Sequence, residues 1–272
     1  TPAQIGAFMI AHRIRRPEPQ ELAGMVDTYR ELGPKLLWTQ KEHQPLCFGM
    51  PFDGRNRTAP IYPLTTLILI SAGQPVVLQG GERMPTKFGI TTQELFKVLG
   101  LYLNGLTIQQ VEAGFKANGL AFIYQPDHFP LANNLISYRD QIGKRTTLAS
   151  MELLWTAHQK KHLLVSGFVH PPSENRAWEA LKIVGEEDLI TIQGLEGSTD
   201  IPISKACATT RVRQGKSERI ILKARNHNYH GKDVKWNNLN EWRNQAIEAL
   251  ENRGPLSKPL KWNAGAYFWL TG

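Results

Sequence analysis

The stretch LCFGMPFDGRNR, residues 46–57, decides the fold: an apolar run too short for a helix breaks into a loop carrying Gly49 and Gly54. Such a run reads as a buried strand delivering a loop at its C-terminal end. In α/β folds a glycine loop at that place holds phosphates with backbone N–H groups and the start of the next helix. The device recurs in VVLQGGERMPTK (76–87) and in LITIQGLEGSTD (189–200). The phosphate- and substrate-binding candidates are Gly49, Asp53 and Gly54 in the first loop, and Gly80, Gly81, Arg83 and Lys87 in the second. In the third, Glu196 and Asp200 offer oxygens suited to Mg²⁺, which takes one or two carboxylates plus substrate phosphate. Taken singly, each loop reads equally well as a glycine turn, and a lone carboxylate as a local cap.

Around these loops, short apolar runs alternate with helical stretches. Strands are expected at Leu46–Gly49, Pro75–Leu78, Leu120–Tyr124, His162–Val169 and Leu189–Gln193. Thr91-Thr92-Gln93-Glu94 and Thr107-Ile108-Gln109-Gln110 match the capping-box pattern, and their helices stop at Gly100 and near Gly119. Ser173 is read as the cap of a helix ending at Gly185. Two amphipathic helices occupy residues 1–33, and a final one runs from Asn240 to Asn252. Thr209–Arg213 and Arg219–Lys223, flanking Gln214-Gly215-Lys216-Ser217, read as a β-hairpin. The expected architecture is α/β: a small helical domain, its N-terminal part truncated, beside a larger α/β domain with a central mixed, mainly parallel sheet. The segments are 1–44 (helical domain), 45–137 (α/β), 138–161 (return to the helical domain) and 162–272 (α/β with the hairpin).

The chain of 272 residues carries a net charge of +8, and between Lys205 and Lys235 nine Lys or Arg face two acids. Clustered cations favour a phosphate-rich partner, because each neutralised phosphate releases a counterion. Arg55, Arg57, Arg211, Arg213, Lys216, Lys223 and Arg225 are the polyanion-binding candidates. The two cysteines, Cys47 and Cys207, are too far apart for a close-spaced metal motif and suggest a reducing cytoplasmic compartment. His158 and His162, four apart, would share a helix face as zinc ligands do, but no third ligand is evident. No apolar run reaches the roughly 18–20 residues that span a membrane. Thr1-Pro2 reads as a helix cap and the last residues, from Asn263 to Leu270, as a helix just begun. Both imply that the chain continues beyond them.

Taken in order, these segments resemble anthranilate phosphoribosyltransferase and its relatives, the pyrimidine nucleoside phosphorylases. TPAQIGAF (1–8) resembles that family's T-P-A-Q-I-G-A-F helix, and Glu21-Leu22-Ala23-Gly24 its E-E-L-A-G. Gly49–Gly54 falls on its G-T-G-G-D-G loop, Gln79–Gly89 on its K-H-G-N-R stretch, Arg139–Thr146 on R-x-x-L-G-x-R-T and Gly194–Asp200 on H-G-x-D-G-L-D-E. The resemblance covers essentially the whole chain. It implies a ligand cleft between the two domains, transfer of ribose phosphate from phosphoribosyl pyrophosphate with Mg²⁺, anthranilate held near Arg139, and a homodimer through the helical domain.

The chain also departs from that pattern. Met50-Pro51-Phe52 stands inside the first loop, and Pro51 has no N–H to offer a phosphate. The family's N-x-S-T falls near Ala59–Tyr62, its phosphate-binding lysine at Leu78, its histidine at Gln79, and its paired metal-holding acids at Thr199-Asp200. A charge-assisted contact is worth about 1.5–3 kcal/mol, so several losses cost many orders of magnitude in rate. G-M-P-F-D-G-R-x-R-T-A-P and G-G-E-R-M-P-T-K resemble a divergent branch of the family, a bacterial subgroup of which is associated with sequence-independent nucleic-acid binding. The partner expected is nucleic acid or a phosphorylated small molecule, with Mg²⁺ as the one conceivable cofactor. An active pentosyltransferase on anthranilate or a related amine is the alternative.

Overall fold

A computed structural model of the protein describes residues 1–39 and 43–272; residues 40–42, at the end of the expected 1–44 helical segment, lie outside the described residues. The run at 46–49 is a strand because all four residues are buried between two neighbours, as a central parallel strand requires. In chain order the elements are α1 (Pro2–Arg15), α2 (Pro19–Leu32), β1 (Leu46–Gly49), α3 (Tyr62–Ser71), β2 (Val76–Gly80), α4 (Thr92–Val98), α5 (Ile108–Asn118) and β3 (Leu120–Tyr124). Four short helices follow: α6 (Gln125–His128), α7 (Pro130–Asn133), α8 (Ile136–Ile142) and α9 (Leu148–Met151). Then come β4 (Leu163–Gly167), α10 (Pro171–Ile183), β5 (Leu189–Ile192), β6 (Cys207–Arg213), β7 (Lys216–Leu222), α11 (Leu239–Leu250) and α12 (Ser257–Thr271).

The strands form one seven-stranded sheet in the order β3-β2-β1-β4-β5-β6-β7. The first five are parallel and the last two antiparallel, which is the mixed, mainly parallel sheet expected. Alternate residues face opposite layers. Leu46, Phe48, Val76, Leu78, Val165 and Ile190 pack with α3, α4, α11 and α12. Cys47, Val77, Ala121 and Leu164 pack with α2, α5, α10 and Trp155. From β1 the strand order runs outward through β2 and β3, then reverses to β4 and β5. Ligands of open α/β sheets bind in the crevice beyond the strand ends at such a reversal.

Several expectations are corrected at the element ends. α10 begins at Pro171 after His170 rather than at a Ser173 cap, because prolines tolerate the first helical turn, whose N–H groups have no intrahelical partner. α12 begins at Ser257, well before Asn263. α3 was not expected, since YPLTTLILIS is apolar on every side and shows no helical period. His158 lies in an isolated bridge with Leu36 rather than on a helix. The capping boxes at Thr91 and Thr107 form as expected. No helix among the described residues is long and apolar enough to cross a membrane.

Backbone pairing locks the first two loops together. Arg55 N–H donates to the Ile90 carbonyl at 3.3 Å, Ile90 N–H to Arg55 at 2.8 Å, and Gly89 N–H to Asp53 at 3.0 Å. Gly54 makes this possible: its φ is 75°, and a Cβ there would stand 2.5 Å from the Ile90 carbonyl oxygen. The left-handed backbone alone costs a residue with a side chain about 1–2 kcal/mol. Gly54→Ala therefore lowers unfolding stability by at least that much in urea titration; an unchanged midpoint would show that the two loops are not locked here.

Candidate functional site

Beyond the ends of β1, β4 and β5 lies a cleft of about 670 Å³, where the sheet order reverses. Pro51 and Asp53 enter it after β1, Phe168 and His170 after β4, and Glu196 after β5. The end of α1 brings His12, Arg13 and Arg16, the segment before α9 brings Arg145, and α10 brings Arg176.

The space between the first two loops is a different matter. Met50, Phe52, Tyr62 and Met84 are all buried there, and about 10 Å³ remains between Gly54, Gly80 and Gly81, the limit for a single water. Gly49 serves close packing rather than an open cradle, since a Cβ there would lie 2.0 Å from the Leu153 carbonyl oxygen. Leu78 is in the core, and the Gln79 side-chain amide donates to the Glu152 carbonyl at 3.2 Å.

Charged side chains join the three loops in alternation. Arg55 Nη1 donates to Asp200 Oδ2 at 2.6 Å and to Ser198 Oγ at 2.8 Å, and its Nε donates to Glu196 Oε1 at 3.2 Å. Glu196 also accepts the Arg57 and Thr58 backbone N–H groups at 3.1 and 3.0 Å. Lys87 Nζ stands 3.9 Å from both Glu196 and Asp53, and Arg145 pairs with Asp53. Asp200 further accepts the N–H of Ile61, the cap of α3, at 2.8 Å, a favourable place for an anion. Burial alone would raise the Glu196 carboxyl, but Arg55 and the hydrogen bonds from Thr58 outweigh it and hold it down at about 2. Burial lowers the Lys87 ammonium, against the pull of Asp53.

This geometry revises several sequence expectations. Arg55, expected on a polyanion surface, is only 1% exposed, because its guanidinium is consumed by the two carboxylates. Glu196 and Asp200, expected as Mg²⁺ ligands, already hold that guanidinium. Arg139 is buried against Glu152 and is absent from the cleft lining, and Arg83 pairs with Glu94 on the surface. On the hairpin, Arg211 pairs with Glu218 at 2.7 Å and lies over the Trp269 ring, while Arg213 donates to the Thr271 carbonyl of α12 at 2.8 Å. Arg57, Lys216, Lys223 and Arg225 are exposed. The β6–β7 register puts Lys216 at the turn, remote from the cleft, and Lys223 and Arg225 at the cleft end. The cleft cations Arg13, Arg16 and Arg176 escaped sequence reasoning; the only signal was the basic close of α1, the HRIRR run.

His158 and His162 do acquire a third neighbour, Cys47, with candidate ligand atoms within 4.8 Å of one another. Both His158 ring nitrogens, however, face backbone carbonyls, Lys160 at 3.1 Å and Trp38 at 2.8 Å. Both cysteines are free and buried.

Comparison with known proteins gives this geometry a family setting. Residues 1–33 match the model of the glycosyl transferase family helical bundle domain. An uncharacterized protein of Aquifex aeolicus is 29% identical over 71% of this chain and 57% of its own length. Anthranilate phosphoribosyltransferases of Verminephrobacter eiseniae and Chromobacterium violaceum are each 23% identical, over 79% and 98% of this chain and 61% and 78% of their own lengths. The chain thus spans about three-fifths of the first two of these relatives. Among solved structures, anthranilate phosphoribosyltransferase from Thermus thermophilus superposes with a TM-score of 0.76 at 19% identity, covering 100% of this chain and 80% of that one. The Saccharomyces cerevisiae enzyme in complex with PRPP and Mg gives 0.77 at 11% identity, covering 99% and 76%. Over residues 1–33 the chain is thus similar to the helical bundle of the glycosyl transferase family, and its fold is that of the solved anthranilate phosphoribosyltransferases. In sequence it is similar to the anthranilate phosphoribosyltransferases, at 23% identity.

Two measurements check the site's construction. Breaking a buried ion pair costs about 3–5 kcal/mol, so Arg139→Ala destabilises by that order in urea, and Arg139→Met with Glu152→Gln recovers most of it. A loss below about 1 kcal/mol for the single variant would show that the pair is not buried as described. Glu196 has a folded value of about 2 against an ordinary 4.5. A depressed carboxyl contributes stability that is complete above its unfolded value and lost as pH falls through the folded one. The stability gap between wild type and Glu196→Gln is therefore constant above about pH 4.5 and shrinks towards pH 2; a gap independent of pH would contradict the assignment.

Proposed function

We propose that the protein binds a polyanion, most readily nucleic acid, in its interdomain cleft through direct cation–phosphate contacts, and that phosphoribosyl transfer is not its activity. The observation that carries this is the asymmetry of charge in the cleft. Its carboxylates are spoken for: Asp53 by Arg145, Glu196 by Arg55, and Glu174 by Arg219 at 2.5 Å. Among the described residues Arg13, Arg16 and Arg176 have no ion-pair partner. Arg219, midway along β7, lies against Phe168 of the cleft wall, and Lys223 and Arg225 follow where β7 ends. Such a surface suits a chain of phosphates read without regard to sequence. The Saccharomyces cerevisiae relative was solved with PRPP and Mg bound. Here the filled space between the first two loops, Leu78 at the lysine position and the internally neutralised acids all speak against the same use.

The test is fluorescence anisotropy with labelled single- and double-stranded DNA and with RNA across a salt series, using the whole protein. If roughly five phosphates are neutralised, log Kd against log salt has a slope of magnitude about 4. Arg13→Ala, Arg16→Ala and Arg176→Ala each reduce it by about 1 for all sequences alike. Absence of binding at low salt, or turnover of phosphoribosyl pyrophosphate with anthranilate and Mg²⁺, would defeat the reading.

A further inference from the structure

We infer that the Arg55 guanidinium occupies the place of a divalent cation, so that the acidic end of the cleft needs no metal and becomes a metal site only when Arg55 is removed. Asp200 and Glu196 come from one loop after β5, and Arg55 reaches them from the loop after β1. Arg55 and Asp200 are each 1% exposed and the Glu196 side chain 8%. Two carboxylates converging on one buried point are a hard-cation environment, of the kind that would hold Mg²⁺ or a similar divalent cation while it kept several waters. A guanidinium satisfies the same negative charge with a planar fork that needs no waters. Here the fork is fully used: Nη1 on Asp200 and Ser198, Nε on Glu196, Nη2 on the Thr58 hydroxyl.

Two further features bear on this. Asp200 Oδ1 is buried without a hydrogen-bond partner, so the carboxylate keeps an unsatisfied acceptor beside the guanidinium. The neighbouring acid is served from within the chain as well, since Lys87 stands 3.9 Å from Asp53 and from Glu196. The series Asp200, Arg55, Glu196, Lys87, Asp53, Arg145 alternates in sign along its length and closes without a free carboxylate for a metal. Removing Arg55 leaves a polar, guanidinium-sized void against Oδ2 of Asp200 and Oε1 of Glu196. This inference concerns the acidic end alone and holds or fails whether or not the cleft binds nucleic acid.

The experiment is Mn²⁺ titration of the whole protein, followed by the EPR signal of free Mn²⁺ and by thermal melting with Mn²⁺, Mg²⁺ or EDTA. Wild type is expected to take up no Mn²⁺ that depends on Asp200, and its melting temperature is expected to be indifferent to all three additions. Arg55→Ala is expected to gain a single Mn²⁺ per chain and a melting temperature that climbs with Mn²⁺ concentration, as for any ligand specific to the folded state. Arg55→Ala with Asp200→Asn is expected to lose both. Should Arg55→Ala not fold in EDTA, the expected result is folding restored by Mn²⁺ but not by NaCl of equal ionic strength. Mn²⁺ uptake by wild type that Asp200→Asn abolishes would overturn the inference. So would a folded Arg55→Ala that gains no site, or an unfolded one that Mn²⁺ does not rescue.

Discussion

A guanidinium at 1% exposure is tolerable only if its charge and its donors are met, because an unpaired buried charge is among the most costly things a fold can contain. Arg55 meets that condition with Asp200, Glu196, Ser198 and Thr58, and much of the surrounding architecture follows. Its backbone pairs with Ile90, its side chain reaches the loop after β5, and the residues just after it pair with 234–236, where Trp236 N–H donates to the Arg57 carbonyl at 3.0 Å. Segments from four distant parts of the chain are thereby held around one cation. Asp200, pinned by that cation, in turn caps α3, whose apolar body fills the core beneath the sheet.

The same arrangement determines what the cleft can do. In the reading proposed above, an acid bridged to an arginine of its own chain is withheld from a metal and repels an approaching anion less. With Asp53, Glu174 and Glu196 paired in this way, the field in the 670 Å³ cleft is left to the arginines of α1 and α10. Apolar side chains meanwhile fill the gap between the first two glycine loops, where Met50, Phe52 and Met84 are buried. The glycines there persist because backbone approaches backbone at Gly49 and Gly54, a packing requirement that stands without any phosphate.

Much of the fold was legible in the sequence because local rules and tertiary packing agreed. The strand at 46–49 and the capping boxes at Thr91 and Thr107 formed where patterning placed them, and the hairpin formed with a tighter turn than expected, Lys216 and Ser217 already pairing with Arg213 and Val212. α3 was hidden because a helix buried on all sides has no amphipathic period. Arg55 was misread for a related reason: next to Asn56 and Arg57 it looks like part of an exposed basic loop, and only the loop after β5, some 140 residues on, supplies the acids that bury it. Arg139 was missed as an internal pair because Glu152 sits on the far side of α9 in sequence. The cations of the cleft escaped notice because α1 and α10 converge only in the fold.

The most direct test of this account is a crystal structure of the protein with a short oligonucleotide, grown with Mg²⁺ present and phosphoribosyl pyrophosphate soaked as a competitor. The account predicts backbone phosphates against Arg13, Arg16 and Arg176, with the Arg55 guanidinium still seated on Asp200 and Glu196 and no diphosphate between the loops at 49–54 and 80–87. A diphosphate lodged between those loops, with Mg²⁺ on Asp200 and Arg55 displaced, would contradict it.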